Sequence, residues 1–226
     1  MADSFARRPS VPRIIVGISG ASGFVYGIRL LQTLRQFGVE THLILSNSAK
    51  LTMAYETDAK LSDVVELASR CYRNDDMAAC ISSGSYRMMG MIVAPCSMKT
   101  LAEIAHGNSS SLLARAADVV LKERKRLVLL ARETPLNLAH LRNMVAVTEM
   151  GAIVAPPVPA FYARPKNLAE MIDHTVGRVL DLFDLESGGV KRWEGGNKGG
   201  VSPRGDRSEA RSAVVGDVGA SPFEGT

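Results

Sequence analysis

The sequence predicts an α/β fold in which helices cover both faces of a parallel sheet. Short apolar runs alternate with helix-length segments as far as residue 186, as expected for repeated strand–helix units. The run Met91–Ala94 is apolar on both faces, which is typical of a strand buried in a parallel sheet. These features indicate a three-layer, Rossmann-like (flavodoxin-like) architecture, whose ligands bind at the carboxyl ends of the strands.

The strands and helices can be assigned in chain order. The first strand is a β-branched run that ends at glycines and leads directly into a helix. The last helix is long, with apolar residues at helical spacing. The predicted strands are Ile14–Ile18, Thr41–Leu45, Met91–Ala94, Leu127–Leu130 and Ala152–Ala155. The predicted helices are Gly23–Phe37, Ser48–Glu56, Leu101–Ala105, Leu112–Glu123, Leu138–Met150 and Leu168–Leu185.

The length of 226 residues fits one domain followed by a tail. We predict that the Rossmann-like domain spans residues 1–186. Residues 187–226 are rich in glycine, charged and small side chains. Because such a segment buries too little apolar surface to offset the entropy cost of ordering, we predict that it is mobile.

Composition argues against several classes of function. The net charge is +4, but basic residues are interleaved with acidic ones and form no nucleic-acid-binding arm. Aromatic residues make up only 5%, too few for a platform that stacks single-stranded bases. No run approaches the roughly 18 apolar residues of a membrane helix. Three cysteines without a CxxC pair, and a polar start without a signal peptide, favour a cytoplasmic protein.

The turn after the first strand has the composition of a phosphate site. Gly17, Gly20 and Gly23 follow a G-x-x-G-x-x-G spacing and lead into a helix. Glycines allow a tight turn, and the N-terminus of the helix offers N–H groups to a phosphate. An NAD enzyme would have a different glycine spacing and an acidic residue after the second strand, where this chain has Ser46. The turn therefore favours a mononucleotide, with a purely structural turn as the alternative.

A second turn of this kind follows the strand Met91–Ala94. Its residues Pro95–Thr100 open a helix that Ser97 can cap. No histidine can be assigned as a base for Cys96, so we interpret this cysteine as a small buried thiol rather than a nucleophile. A third hydroxyl-rich loop, Ser82–Ser85, precedes the strand.

Several charged or hydroxylated side chains are candidates for binding an anion. Arg115 and Lys122 lie seven residues apart on one helix face, a pattern that by itself also fits a solvated stripe. Arg132 follows a strand at the edge where ligands bind. Tyr162 belongs to a proline-rich loop suited to walling a pocket, whereas a surface position is the default expectation for Arg178.

Seven motifs, in order, resemble the UbiX family of flavin prenyltransferases, and the resemblance covers Arg13–Trp193. They are Gly20-Ala21-Ser22-Gly23, Met53-Ala54-Tyr55-Glu56-Thr57, Pro95-Cys96-Ser97, Arg115-Ala116-Ala117-Asp118, Leu121-Lys122-Glu123-Arg124, Arg132-Glu133 with Pro135, and Pro159-Ala160-Phe161-Tyr162. The stretch Ser97-Met98-Lys99-Thr100 is similar to the subgroup that accompanies hydroxyarylic (phenolic) acid decarboxylases, whereas much of the family has Thr-Gly there.

The resemblance implies a set of site residues. FMN would be held by Gly20, Ala21, Ser22, Ser46, Ser97, Met98, Lys99, Thr100 and Arg132. The phosphate of dimethylallyl phosphate would be held by Lys122, Tyr162 and Arg178, with Arg115, Glu133 and Trp193 lining the site. Ser22 and Glu56 would handle protons, and the implied catalytic set is Ser22, Glu56, Lys122 and Glu133.

The implied activity joins a dimethylallyl group to reduced FMN, making prenylated FMN for a UbiD-type aromatic acid decarboxylase. Family members form large homo-oligomers, commonly dodecamers, that share their sites between subunits. The only adjacent acidic pair, Asp75-Asp76, does not continue as a magnesium motif, so we expect no metal. Three alternatives are a non-catalytic flavin-delivery subunit, a carboxy-lyase that acts alone, and an FMN-dependent enzyme like the cysteine decarboxylases. The cysteine decarboxylases use a catalytic histidine in a context that His42, His106, His140 and His174 do not match.

Overall fold

The computed structural model describes residues 11–193. Its strands are β1 (Arg13–Ile18), β2 (Glu40–Leu45), β3 (Arg70–Arg73), β4 (Gly90–Cys96), β5 (Arg126–Ala131) and β6 (Ile153–Val154). Its α-helices are α1 (Phe24–Gln36), α2 (Asn47–Glu56), α3 (Leu61–Glu66), α4 (Met98–Ala105), α5 (Leu112–Lys122), α6 (Leu138–Glu149) and α7 (Leu168–Asp181). Two short 3₁₀ helices, Cys80–Ser82 and Phe161–Ala163, complete the described elements.

The strands form one six-stranded sheet in the order β3-β2-β1-β4-β5-β6, and all paired strands are parallel. This is the order of a Rossmann sheet, and without the short edge strand β3 it reduces to the flavodoxin order. The predicted architecture is therefore confirmed. The direction of winding reverses between β1 and β4, so the crevice beyond their carboxyl ends is the expected ligand site.

Alternate residues of the buried strands contact the two helical layers. In β1, Ile14 and Val16 belong to the core cluster that includes α1 and α7, whereas Ile15 belongs to the cluster that includes α4 and α5. This two-residue alternation follows from strand geometry, and it explains why such strands are apolar on both faces.

The sequence analysis missed α3 and β3. The helix has only six residues and no side-chain cap, so it lacks the usual signals of a helix start. The strand pairs only with β2 at the sheet edge, and three of its four residues are exposed, so no apolar run marks it.

The compact unit ends at Arg192. The described part of the predicted tail within this unit lies against α7, where Val190 and Ser187 pack over Gly177. Residues 194–226 of that tail lie outside the described residues. No helix in the described part of the chain is both long enough and apolar enough to span a membrane.

Candidate active site

Ser19 joins the two turns that follow β1 and β4. Its N–H and its hydroxyl both donate to the carbonyl of Pro95, at 3.2 and 2.9 Å. Its hydroxyl oxygen accepts from the N–H of Ser97 at 2.7 Å. Because Ser19 is only 1% exposed, these bonds fix the glycine turn against the second turn without competition from water.

A cleft of about 160 Å³ opens between these turns. The N-termini of α2, α4 and α5 meet at it, capped by Ser46, Ser97 and Ser111. Each serine oxygen accepts one N–H of its own helix, and the other first-turn N–H groups have no partner within the helix. Three positive dipole ends and a lining of hydroxyl groups suit the cleft to a phosphate.

The lining of the cleft includes five of the residues predicted to hold FMN, namely Gly20, Ser46, Ser97, Lys99 and Thr100. Sequence analysis missed the other lining residues, which are Ser48, Asn74, Glu103, Ser110, Ser111 and Leu113. The serine run before the apolar periodicity of α5 is a helix-start signal that could have revealed Ser111.

Gly20 brings the first turn into close contact with α2. A Cβ atom on Gly20 would lie 2.3 Å from the Cβ of Ser48 and 3.2 Å from its carbonyl carbon. No side chain fits in this space without moving α2, so glycine is required here for a close approach of two backbones. The cradle that results fits the phosphate end of a mononucleotide such as FMN.

Glu56 lies at the C-terminus of α2 and reaches the N-terminus of α1. Its Oε2 accepts from the N–H groups of Gly23 and Phe24 at 2.9 and 3.0 Å. Burial raises the pKa of Glu56, but the hydrogen bonds from Ser22, Phe24 and Gly23 outweigh burial and hold the pKa below its ordinary value. Glu56 is therefore a carboxylate at neutral pH, hydrogen-bonded to the Ser22 hydroxyl.

Arg132 directly follows β5 and is hydrogen-bonded to the end of β4. Its N–H donates to the carbonyl of Cys96 at 3.1 Å, and its charge contributes to lowering the pKa of Glu56. Burial raises the pKa of Tyr26, against opposing effects of a hydrogen bond with Thr175 and the charge of Arg132. The charge of Arg132 thus acts in the same direction on the pKa of Glu56 and of Tyr26.

Tyr162 and Arg178 approach the same helix, α7. The hydroxyl of Tyr162 lies 3.4 Å from Nε2 of His174, and the two rings are perpendicular with centroids 5.7 Å apart. Arg178 lies one turn after His174, hence on the same face. Its Nη1 donates to Oδ2 of Asp181 at 2.7 Å. Both predicted residues are thus associated with α7, Tyr162 through its contact with His174 and Arg178 as a residue of the helix.

Arg115 and Lys122 lie elsewhere in the chain. Lys122 ends α5, about 16 Å along the helix from Ser111 at the cleft. Its Nζ donates to Oε1 of Glu123 at 2.6 Å. Arg115 donates to the carbonyl of Ser82 and to Asp118, at 3.3 and 2.6 Å. One chain does not place these two cations beside the glycine turn.

The remaining predicted residues occupy varied positions. Ala21 is buried, Met98 is half-buried in the first turn of α4, and Glu133 is exposed and accepts the N–H of Thr134. Trp193, the last described residue, is exposed, and its predicted place in the site stays a prediction. Cys96 is fully buried, which raises its pKa to about 12 and confirms the interpretation as an inert thiol.

Known proteins resemble this chain over most of its length. A family model described as Flavoprotein matches residues 5–186. A probable UbiX-like flavin prenyltransferase of Bacillus subtilis is 56% identical over 183 residues, which cover 81% of this chain and 90% of the relative. The flavin prenyltransferase UbiX of Thauera aromatica is 55% identical, with 81% and 94% covered. The chain belongs to the UbiX family of flavin prenyltransferases. The resemblance carried by the seven motifs is thereby confirmed.

Solved structures of UbiX proteins share this fold. A crystal structure of AnUbiX (PadA1) in complex with FMN and dimethylallyl pyrophosphate superposes with a TM-score of 0.81, at 54% identity over 82% of this chain and 99% of that chain. A dodecameric FMN-dependent UbiX-like decarboxylase from Escherichia coli O157:H7 gives 0.79 at 50% identity, with 81% and 100% covered.

The cysteine decarboxylases are more distant from this UbiX chain. The peptidyl-cysteine decarboxylase EpiD has a TM-score of 0.57 at 16% identity, which shows a shared fold alone. The residues that line the described cleft include none of the four histidines. His42 is buried between Tyr72 and Glu40, and His140 caps α6. His42 and His140 are thus held in contacts of their own rather than among the residues that line this cleft.

Proposed function

We propose that this protein transfers the dimethylallyl group of dimethylallyl phosphate to reduced FMN and so makes prenylated FMN. The observation that carries the proposal is the carboxylate of Glu56, which accepts the N–H groups of Gly23 and Phe24 at the glycine turn whose Gly20 lines the cleft. Tyr162 contacts His174 of α7, the helix that carries Arg178. In the proposed site, Ser22 and Glu56 would act between the phosphate cradle and these anion-binding side chains.

The cleft is the proposed site of the FMN phosphate. The turn residues Gly20, Ala21 and Ser22, the caps Ser46 and Ser97, and Met98, Lys99, Thr100 and Arg132 would hold the cofactor. Reduced FMN supplies the nucleophilic ring nitrogen and the neighbouring ring carbon that acquire the prenyl group. The chain's own residues orient it through helix N-termini and hydroxyl groups, and these need no rearrangement to receive an anion.

The donor phosphate would bind to Tyr162 and Arg178 of one copy and to Arg115 and Lys122 of a neighbouring copy. When the bond between the allyl carbon and the phosphate oxygen breaks, the electron pair stays on the phosphate. Fixed cations and the Tyr162 hydroxyl stabilise the charge that develops there. A homo-oligomer, as in the dodecameric relative, would supply the second pair of cations, since Lys122 lies at the far end of α5 from the cleft of its own chain.

The prenyl group would be bonded first to the ring nitrogen of the flavin and then to the neighbouring ring carbon. The second of these bonds replaces a hydrogen on the ring carbon, so a proton is released. Glu56 is placed to accept it, directly or through the Ser22 hydroxyl, because its low pKa keeps the carboxylate ionised at neutral pH. The departing phosphate is the other acceptor within the site. Glu133, exposed after β5, would contribute to the site wall rather than to the cleft.

Three further features belong to this proposal. The product would serve a UbiD-type aromatic acid decarboxylase, the protein would work in the cytoplasm, and the reaction would need no metal. Within residues 11–193 there is no cluster of three or more metal-ligating side chains. Asp75 of the adjacent acidic pair instead accepts two hydrogen bonds from Arg73, at 3.0 and 2.7 Å.

The test mixes purified protein with reduced FMN and dimethylallyl phosphate, without oxygen or magnesium. A flavin heavier than FMN by one prenyl unit is the expected product, identified by mass spectrometry, with dimethylallyl diphosphate as a parallel donor. Recovery of unmodified FMN alone from both donors would reject the transferase function and favour a flavin-delivery subunit.

A further inference from the structure

A short segment after α7, residues 187–192, folds back along that helix, and we call it the brace. Val190 and Ser187 pack over Gly177, where an added Cβ would lie 2.5 Å from Val190 Cγ2 and 2.6 Å from Ser187 Oγ. The Nζ of Lys191 donates to the carbonyl of Ala163 at 2.9 Å. The brace therefore connects α7 to the 3₁₀ helix Phe161–Ala163.

The next residue of the brace binds the carboxylate that holds Arg178. Arg192 donates from Nη1 to Oδ2 of Asp181 at 3.1 Å and from Nη2 to Oδ1 at 3.0 Å. Arg178 donates to the same Oδ2 at 2.7 Å. The Asp181 side chain is only 12% exposed, whereas Arg178 is 52% exposed. One carboxylate thus orients two guanidinium groups, and Arg192 also pairs with Glu186 at 3.4 Å.

Two consecutive residues of the brace therefore bind beside the two proposed donor-phosphate ligands, Tyr162 and Arg178. Lys191 fixes the carbonyl that directly follows Tyr162, and Arg192 fixes the carboxylate that directs Arg178. We propose that Lys191 and Arg192 are positioning residues for the donor phosphate, setting the separation of Tyr162 and Arg178. This inference rests on the proposed function and adds to it a role for the C-terminal segment.

Changes in the brace should affect the binding of the donor and not the binding of FMN. The contacts of the brace lie on α7 and the 3₁₀ helix, whereas the cleft proposed for the FMN phosphate is built from the turns after β1 and β4 and the starts of α2, α4 and α5. Loosening the brace should therefore weaken donor binding and leave FMN affinity unchanged. A displacement of a ligand by a fraction of an ångström is enough to slow a positioned reaction.

The experiment measures KM for dimethylallyl phosphate, kcat and the dissociation constant of FMN in full-length oligomeric protein. Arg192→Gln and Lys191→Gln should each raise the KM roughly threefold to tenfold, the size expected for partly exposed charge-assisted hydrogen bonds. Arg192→Lys should recover part of the loss, because lysine keeps the charge but not the two-pronged geometry. Asp181→Asn combined with Arg192→Gln should be no worse than Asp181→Asn alone, since both remove one interaction.

An uncharged variant tests the brace independently. Gly177→Leu introduces a good helix former into α7, but its side chain would occupy the space of Val190 and Ser187, so it should raise the same KM. Ala169→Leu, an exposed position on the same helix, is the matched control and should leave the KM unchanged. Size-exclusion chromatography verifies that every variant assembles like the wild type.

The outcomes separate the two proposals. If the wild-type protein makes no prenylated flavin, the proposed function fails, whatever the variants do. If the wild type is active and Arg192→Gln, Lys191→Gln and Gly177→Leu all retain its KM for the donor, the brace has no positioning role. Loss of FMN affinity in the same proportion as donor affinity would also overturn the inference, because it would indicate general loosening of the fold.

Discussion

The carboxylate of Glu56 accepts a 2.9 Å hydrogen bond from the main-chain N–H of Gly23, although 33 residues separate them. The contact joins the end of α2 to the start of α1, at the turn that follows β1. A helix N-terminus stabilises a negative charge, so the arrangement favours the ionised form of Glu56. It also holds that carboxylate beside Ser22, where the proposed reaction releases a proton.

Replacing Glu56 by glutamine should slow product formation while leaving FMN bound. The amide keeps the shape of the carboxylate but cannot accept a proton, and loss of a positioned acid–base group lowers rates by about 10²–10⁴. Single-turnover formation of prenylated FMN, followed by mass spectrometry, measures the effect. Glu149→Gln, at an exposed carboxylate on α6, serves as the control and should react like the wild type. Equal rates for wild type and Glu56→Gln would remove Glu56 from the mechanism.

The depressed pKa of Glu56 also predicts how its contribution to stability depends on pH. The folded-state pKa lies below the ordinary value of 4.5, so the folded state binds this proton more weakly than the unfolded state. The stabilisation is therefore complete above pH 4.5 and is lost as the pH falls through the folded-state pKa. Urea unfolding should show a difference in the free energy of unfolding between wild type and Glu56→Gln that shrinks from pH 6 towards pH 3. A difference independent of pH would contradict the assignment of a low pKa.

Substituting Gly20 tests the phosphate cradle. In Gly20→Val the side chain collides with Ser48, so either α2 or the turn must move and the cleft changes shape. We expect FMN affinity to fall at least tenfold, corresponding to about 1.4 kcal/mol. Titration of the flavin fluorescence measures the dissociation constant. Gly189→Ala is a matched control, since a Cβ there meets only Ser187 Oγ, at 3.9 Å, and FMN binding should not change.

The sequence anticipated the parts of the site that depend on local pattern. The glycine turn after β1 and the cap Ser97 follow from residue types at a strand-to-helix junction, which are readable over a few positions. Ser46 was predicted only as an FMN residue, and its role as the cap of α2 was missed because the helix was expected to begin at Ser48. Asn74 was not anticipated, because its role is long-range. Its carbonyl and side chain accept from Leu112 and Leu113 at the start of α5, 38 and 39 residues further along the chain.

The contacts of α7 are also long-range, and local sequence patterns did not predict them. Arg178 could be placed on an amphipathic helix from periodicity, but its pairing with Asp181 and the contact of Tyr162 with His174 depend on how the chain returns to that helix. The boundary at residue 186 marked the change in composition. It did not reveal that Lys191 and Arg192 bind back to the domain, since two basic residues in a glycine-rich segment carry no pattern of their own.

Complementation between inactive variants tests whether the donor site is shared by two copies. Lys122→Ala and Tyr162→Phe should each have low activity, because each removes one phosphate ligand. If Lys122 comes from a neighbouring copy, co-assembled mixtures contain some sites with both native residues, roughly a quarter for random 1:1 assembly in a symmetric oligomer. The measurement compares co-expressed variants with the same proteins purified separately and mixed without subunit exchange. Activity in the co-assembled sample alone supports a shared site, whereas equally low activity in both samples would show that Lys122 and Tyr162 do not come together from different copies.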